Sequence, residues 1–392
     1  MQFKKLKDIS VVTMGQSPKG ETYNHENIGL PLLNGPTEFG HSHPVASLYT
    51  TDSKRQCEKG DLIFCVRGST TGKMNWADKI YSLGRGVCSF RGDTAGETKY
   101  IRYCLEVYLQ SLLQLAGGGT FPNLTKETIE NFEIPYKSNR EEIASILSAY
   151  DDLIENNNRR IAILEEMARS LYKEWFVKFR FPGYEEVKMI DSELGQIPEG
   201  WRVDKLNSIV EFQSGFAFKS TTFTNDGSYK IVTIRNVKDG DFESITSNKI
   251  HEIPSKMPIH CILRDGDILM SLTGNIGRVC LCYGENFLLN QRVAKLYPRQ
   301  SIYNSFVYIL FRTQEIQKQL EIISNGVAQQ NLSPIQAGEI KIIAPSDEIL
   351  ELYDSITAPL LAFMINLHKK NQNLKTQRDM LLPKLISGKM HV

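Results

Sequence analysis

The side chains of this 392-residue sequence that are best arranged for chemistry are hydrogen-bonding groups set among glycines, with cations close by. Arg67-Gly68-Ser69-Thr70-Thr71-Gly72-Lys73 is one such stretch, and Leu272-Thr273-Gly274-Asn275-Ile276-Gly277-Arg278 has the same layout. Glycine lets one backbone approach another. Ser69, Thr70, Thr71, Thr273 and Asn275 then offer hydrogen bonds, while Arg67, Lys73 and Arg278 offer charge. A second pair of stretches spans 117–123, with Thr120 and Asn123, and 325–331, with Gln329, Gln330 and Asn331; paired carboxamides suit the adenine edge. Asn34-Gly35, Arg235-Asn236 and Asn290-Gln291-Arg292 complete the set. Such groups read base edges and hold phosphates. The bland reading, hairpin turns and helix-to-strand loops, fits the same residues.

Bond-making chemistry is harder to find. The P-loop pattern fails because only three residues separate Gly68 from Gly72 and Met74 follows Lys73. The sequence has no G-x-S-x-G, no H-E-x-x-H and no Asp/Asn-Pro-Pro-aromatic tetrapeptide of the kind that marks amino-methyltransferases. His41-x-His43 beside Pro44 reads as a loop, so neither catalytic residues nor metal ligands are expected. Seven cysteines without a CxxC pair, several inside apolar runs such as Leu62–Val66, read as buried free thiols of a reducing cytosol. Met1–Leu6 has no apolar signal core, and no stretch approaches membrane-spanning length, so a soluble cytoplasmic protein is expected. The net charge of +1 argues against a general nucleic-acid glue but leaves a basic face open.

The elements that must position these stretches occur twice. Leu6 and Gly15 match Leu206 and Gly215, Gly60-Asp61-Leu62-Ile63 matches Gly266-Asp267-Ile268-Leu269, and Gly68 matches Gly274. Asn123-Leu124-Thr125 matches Asn331-Leu332-Ser333, and Leu164, Leu171 and Trp175 match Leu374, Leu381 and Leu385. The order is kept at a period near 200 to 210 residues, the mark of an internal repeat. Each half begins with short runs rich in Ile, Val and Phe, such as Asp61–Val66, Tyr229–Ile234 and Asp267–Leu272, interleaved with helical spacing in Ile101–Leu115 and Ser305–Ile323. An α+β globule is expected.

Each half then ends in one long helix, about Asn139 to Lys178 and about Ser346 to Ser387. The first stripe reads Ile146, Tyr150, Leu153, Ile161, Leu164, Ala168, Leu171 and Trp175; the second reads Tyr353, Ile356, Leu360, Phe363, Leu367, Leu374, Leu381 and Leu385. Steps of three and four over such lengths predict an antiparallel coiled coil, because a stripe roughly 60 Å long at 1.5 Å per residue exceeds what one small globule buries. Asn157, Asn371 and Arg378 fall in line with the stripes, either as polar seam positions that fix register or just outside the seam in solvent.

Residues Arg160–Phe176, Phe181-Pro182-Gly183 and Gly195–Trp201 resemble the central conserved region of Type I restriction–modification specificity subunits, and Arg378–Gly388 resembles their distal conserved region. The resemblance implies an α+β fold of two pseudo-symmetric target-recognition domains separated by two long helices forming an antiparallel coiled coil. The expected parts are recognition domains at 1–138 and 201–345, conserved helices at 139–180 and 346–392, and a linker at 181–200. It also implies a non-catalytic subunit that binds double-stranded DNA, two methyltransferase subunits and restriction/translocase subunits, with Tyr172, Trp175 and Phe176 in docking or packed on their own globule. S-adenosylmethionine, ATP and magnesium would be held by the partners, and no cofactor by this chain. The rival readings are a self-contained DNA-modifying or DNA-cutting enzyme with a divergent site, and a coiled-coil scaffold without DNA specificity.

Overall fold

The structure is a computed structural model that describes residues 2–40, 42–117, 122–325 and 331–392. The chain divides into two units, residues 1–156 with 372–392, and residues 157–371.

The first unit is built on an antiparallel four-stranded sheet in the order Val11–Met14, Val87–Arg91, Leu62–Cys65, Met74–Trp76. A second sheet, of five short strands, runs Tyr23–Asn24, Tyr49–Thr50, Leu30–Leu33, Tyr81–Leu83, Gln56–Cys57, and its Leu30–Leu33 and Tyr81–Leu83 strands are parallel. The second unit repeats the plan. Its four-stranded sheet runs Val210–Ser214, Val293–Pro298, Ile268–Ser271, Val279–Leu281, and a smaller sheet pairs Tyr229–Val232 with Phe287–Leu289 in parallel. The strands Leu62–Cys65 and Ile268–Ser271 are buried along their whole length, which is why they read as unbroken apolar runs rather than alternating ones. All seven cysteines are free thiols and buried.

The repeated landmarks have local physical causes. Gly60 and Gly266 take positive φ (91° and 86°), a conformation that costs glycine least. The aspartate that follows closes the turn: Asp61 Oδ2 accepts from the Glu58 amide at 2.9 Å, and Asp267 Oδ2 accepts from the Arg264 amide at 2.8 Å. Each aspartate is also paired with a cation on the neighbouring strand, Asp61 with Arg91 at 2.6 Å and Asp267 with Lys295 at 2.8 Å. In the Asn-Leu-Thr/Ser landmark, Leu124 and Leu332 are buried. Thr125 and Ser333 cap the short helices Lys126–Asn131 and Pro334–Gly338 by accepting from the Thr128 and Gln336 amides.

The central helix runs Arg140–Tyr172, followed by a π-helical turn over Lys173–Val177, and the distal helix runs Asp347–Ser387. They pair antiparallel in each unit. In the first, Asn139 Nδ2 donates to the Val392 carbonyl at 3.1 Å, and Arg378 Nη1 donates to Asp151 Oδ1 at 2.5 Å. In the second, Asn157 Nδ2 donates to Asn371 Oδ1 at 2.8 Å, and the Tyr353 hydroxyl donates to the Ala168 carbonyl at 3.3 Å. Residue numbers rise along one helix as they fall along the other.

The seam is not quite the stripe read from the sequence. Ile154, Ile161, Ala168, Tyr353, Leu361, Met364 and Leu367 are buried, whereas Leu153, Ile356 and Phe363 are exposed. Asn371 lies inside the seam, 5% exposed, and its carboxamide also donates to Asn158 Oδ1 at 2.8 Å. Arg378 is held at Asp151 together with Arg102 Nη1 (2.6 Å) and the Tyr103 hydroxyl (2.7 Å).

Two measurements follow from this packing. Leu361→Ala should lower stability by about 2–5 kcal/mol through cavity formation, and Phe363→Ala, at a surface position, by less than about 1 kcal/mol; urea unfolding compares them. Burial opposes ionisation of Asp151, but Arg102, Tyr103 and Arg378 outweigh it and hold the carboxyl below its ordinary pKa. A depressed folded-state pKa stabilises the fold above the ordinary carboxylate pKa, and this is lost as pH falls through the folded value. Asp151→Asn should therefore cost on the order of 3 kcal/mol at neutral pH and flatten the acid limb of the pH–stability curve.

Candidate nucleic-acid interface

The separated loop stretches meet at one main-chain junction in each unit. In the first, the Val66 amide donates to the Gly86 carbonyl at 2.9 Å, and the Leu124 amide donates to the Val66 carbonyl at 3.0 Å. In the second, the Leu272 amide donates to the Arg292 carbonyl at 3.0 Å, and the Leu332 amide donates to the Leu272 carbonyl at 2.9 Å. Arg67 bridges Asn123, and Thr273 bridges Asn331, at the next position. Gly15 and Gly215 complete the junctions, donating to the Val87 and Val293 carbonyls at 3.0 and 3.2 Å. A Cβ there would lie 2.1 Å from the Gly84 oxygen or 2.2 Å from the Asn290 oxygen, so no other residue fits.

Half of the expected readers are exposed in the stretches that meet here. Arg67, Ser69 and Lys73 are exposed in the first unit, and Asn275, Arg278, Gln291, Arg292, Arg235 and Asn331 in the second. Thr70 and Thr71 are half-buried, and the Thr71 hydroxyl closes its own loop by donating to the Gly68 carbonyl at 2.8 Å. Asn34 is half-buried against Gly84 and Gly86, so the third stretch joins the junction as well. In the second unit Ile234 lies against Gly274, which brings Arg235 to the same place. A concavity of about 440 Å³ opens there between Gly274–Arg278 and the helix Gln314–Asn325, lined by Asn275, Arg278, Gln317 and Glu321. Two buried polar atoms at the junctions have no hydrogen-bond partner among the described residues, Asn123 Oδ1 in the first unit and Thr273 Oγ1 in the second.

Other expected residues take different roles. Asn236 is 2% exposed; its Oδ1 accepts from the Thr233 amide at 2.9 Å and its Nδ2 donates to the Glu243 carbonyl at 2.7 Å. It holds a turn and presents no free edge. Tyr172, Trp175 and Phe176 are buried in the core of the second unit and are not a docking face. Tyr172 packs on Phe306 (5.6 Å between rings), Trp175 on Tyr353 (5.9 Å), and Phe176 on Phe306, Tyr353 and Trp201. That cluster is the physical content of the aromatic pattern around residues 172–201. Thr120, Gln329 and Gln330 lie outside the described residues.

The structure adds Arg85. Gly84-Arg85-Gly86 occupies in the first unit the place of Asn290-Gln291-Arg292 in the second, and Arg85 is exposed. The signal was available, because the 206-residue offset that matches Gly68 to Gly274 also carries Arg85 onto Gln291.

Comparison with known proteins agrees with this layout. The family model of the Type I restriction modification DNA specificity domain matches residues 1–166 and again 198–376. The MjaIX specificity subunit of a Type I restriction enzyme from Methanocaldococcus jannaschii is 27% identical over 410 residues, covering 99% of this chain and 93% of that protein. The HindI specificity subunit from Haemophilus influenzae is 21% identical, covering 69% and 72%. The crystal structure of a Type I restriction–modification S subunit from M. genitalium superposes with a TM-score of 0.62 at 20% identity, covering 98% of this chain and 96% of that one, which establishes a shared fold.

An orphaned hydroxyl in a protein interior costs about 1–3 kcal/mol, so Thr273→Val should leave the second unit as stable or stabilise it by about 1 kcal/mol. A thermal unfolding scan checks this, and a drop of several degrees would contradict it.

Proposed function

Because this chain belongs to the family of Type I restriction–modification DNA specificity proteins, we propose that it is the subunit that reads the DNA sequence for such a complex. Each unit reads one half of a bipartite double-stranded site, and catalysis is left to its partners. One observation carries the reading: the same backbone junction is built twice with different side chains projecting from it. Arg67 and Arg85 stand in the first unit where Thr273 and Gln291 stand in the second. A fixed frame with a variable edge suits two different half-sites. Arginine suits guanine and phosphate, and carboxamides suit adenine.

The partners in this reading are two methyltransferase subunits and the restriction/translocase subunits, which hold S-adenosylmethionine, ATP and magnesium. Their docking faces are the outward sides of the two helices. Ile163 and Met167 on the central helix and Leu352, Ile356 and Phe363 on the distal one expose apolar surface that the seam does not use. Among the described residues no helix is long and apolar enough to cross a membrane.

Sequencing methylated bases in a host that carries all the subunits tests the reading. One split motif should appear with the gene set and vanish when this chain is deleted; methylation without a split motif would overturn it. The helix pair sets the spacer between the half-sites. Adding one heptad to both helices, roughly 10 Å of axial rise, should change the unread spacer by about three base pairs while both half-site sequences stay the same. Within one unit, Lys73→Ala should weaken binding across sequences and flatten its salt dependence by about one charge, as titration against duplex DNA at several salt concentrations measures.

A further inference from the structure

In the second unit a hairpin over residues 236–243 starts beside the recognition junction. Val237 pairs with Phe242, both buried, and Asn236 closes the base. Arg235 is exposed immediately before it, next to Gly274. The tip is held by two contacts. The Gly240 amide donates to the Val279 carbonyl at 2.8 Å, and Asp239 Oδ1 accepts from Arg312 Nε at 2.9 Å. Gly240 has φ +75°, and a Cβ on it would lie 2.3 Å from Arg312 Nη2, so the hairpin is shaped around this guanidinium.

Arg312 is itself fixed. Its side chain is 3% exposed and lies in the turn after the helix Asn304–Leu310. Nη1 donates to the Tyr308 hydroxyl at 2.8 Å, and Nη2 pairs with Glu165 of the central helix at 2.5 Å. Glu165 is in turn held by Arg169 at 2.8 Å. The chain Asp239–Arg312–Glu165–Arg169 therefore ties the hairpin tip to the central helix through alternating charges. Burial disfavours a cation here, but Tyr308, Glu165 and Asp239 more than compensate, so the guanidinium stays charged. Asp239 is 58% exposed, and an ion pair with such a partner contributes little stability. What it supplies is direction, since a guanidinium has fixed donor geometry.

We infer that Arg312 is a positioning residue for sequence reading by the second unit: through Asp239 it sets the pose of the hairpin 236–243 and so of Arg235. This rests on the reading that the junction loops contact DNA. The test is made in the complete complex by sequencing methylated bases. The half-site read by the second unit is identified as the one whose bases change on Gln291→Ala. Asp239→Ala removes only the hairpin arm, while Arg312→Met removes all three. Both should relax that half-site, with about a tenfold loss of discrimination, and leave the other half-site unchanged. Arg312→Lys, which keeps the charge without the fork, should fall between wild type and Arg312→Met. The Asp239→Ala protein should keep its thermal midpoint within a few degrees, which separates mispositioning from unfolding. An unaltered motif in Asp239→Ala, or equal loss of both half-sites, would overturn the inference. Absence of any split motif in the unmutated complex would instead overturn the DNA-reading function, and the inference with it.

Discussion

The fold depends on helices too long to be buried by a single small globule. A stripe of apolar side chains along more than 30 residues needs an equally long partner, and the matching stripe on the other helix supplies it. Each unit therefore contains a piece of both helices: 140–156 with 372–387 in one, and 157–172 with 347–371 in the other. Neither unit is a continuous segment that ends where its sheets end. The sheets and the helix pair share cores, as shown by Leu382, Leu385 and Ile386 packing with Leu6, Ile101 and Ile134, and by Tyr353 and Leu361 packing with Phe306 and Trp201.

Polar groups inside these cores are fully engaged where they govern pairing. Asn371 uses both ends of its carboxamide, accepting from Asn157 and donating to Asn158. Asp151 collects Arg102, Tyr103 and Arg378, and Glu165 collects Arg312 and Arg169. A displaced helix would leave these groups desolvated without partners, a penalty that apolar contacts alone do not impose. The apolar seam supplies attraction, and the polar sites make one arrangement better than its neighbours.

The repeat and the long helices were legible in the residues because both are periodic signals, and the helix limits agree with the structure within a few residues. The Gly-Asp and Asn-Leu-Thr/Ser landmarks were visible for the same reason, since each encodes a local turn or cap. The seam was only half legible. With apolar residues at both Leu153 and Ile154, and at Leu360, Leu361, Phe363 and Met364, spacings of three and four fit two adjacent stripes, and only packing chooses between them. Asn236 looked like a free carboxamide because its turn partner Glu243 lies seven residues on. Tyr172, Trp175 and Phe176 looked available because Phe306 and Tyr353, which cover them, are more than 125 residues away. Arg85 is legible only through the 206-residue offset, because its flanking glycines share no residue type with Asn290 and Arg292; the equivalent bonds Val66 N–H to Gly86 and Leu272 N–H to Arg292 make the match plain.

The two junctions join their strands and loops through peptide groups, amide to carbonyl, at Val66, Gly86 and Leu124 and again at Leu272, Arg292 and Leu332. Peptide groups are identical whatever side chain they carry. Residues at the rim can therefore be exchanged one by one without disturbing the bonds that hold the rim in place, while glycines 15 and 215 stay fixed by steric necessity. Such an architecture separates what has to be inherited from what is free to drift, and lets a lineage acquire a new recognition alphabet without learning to fold again.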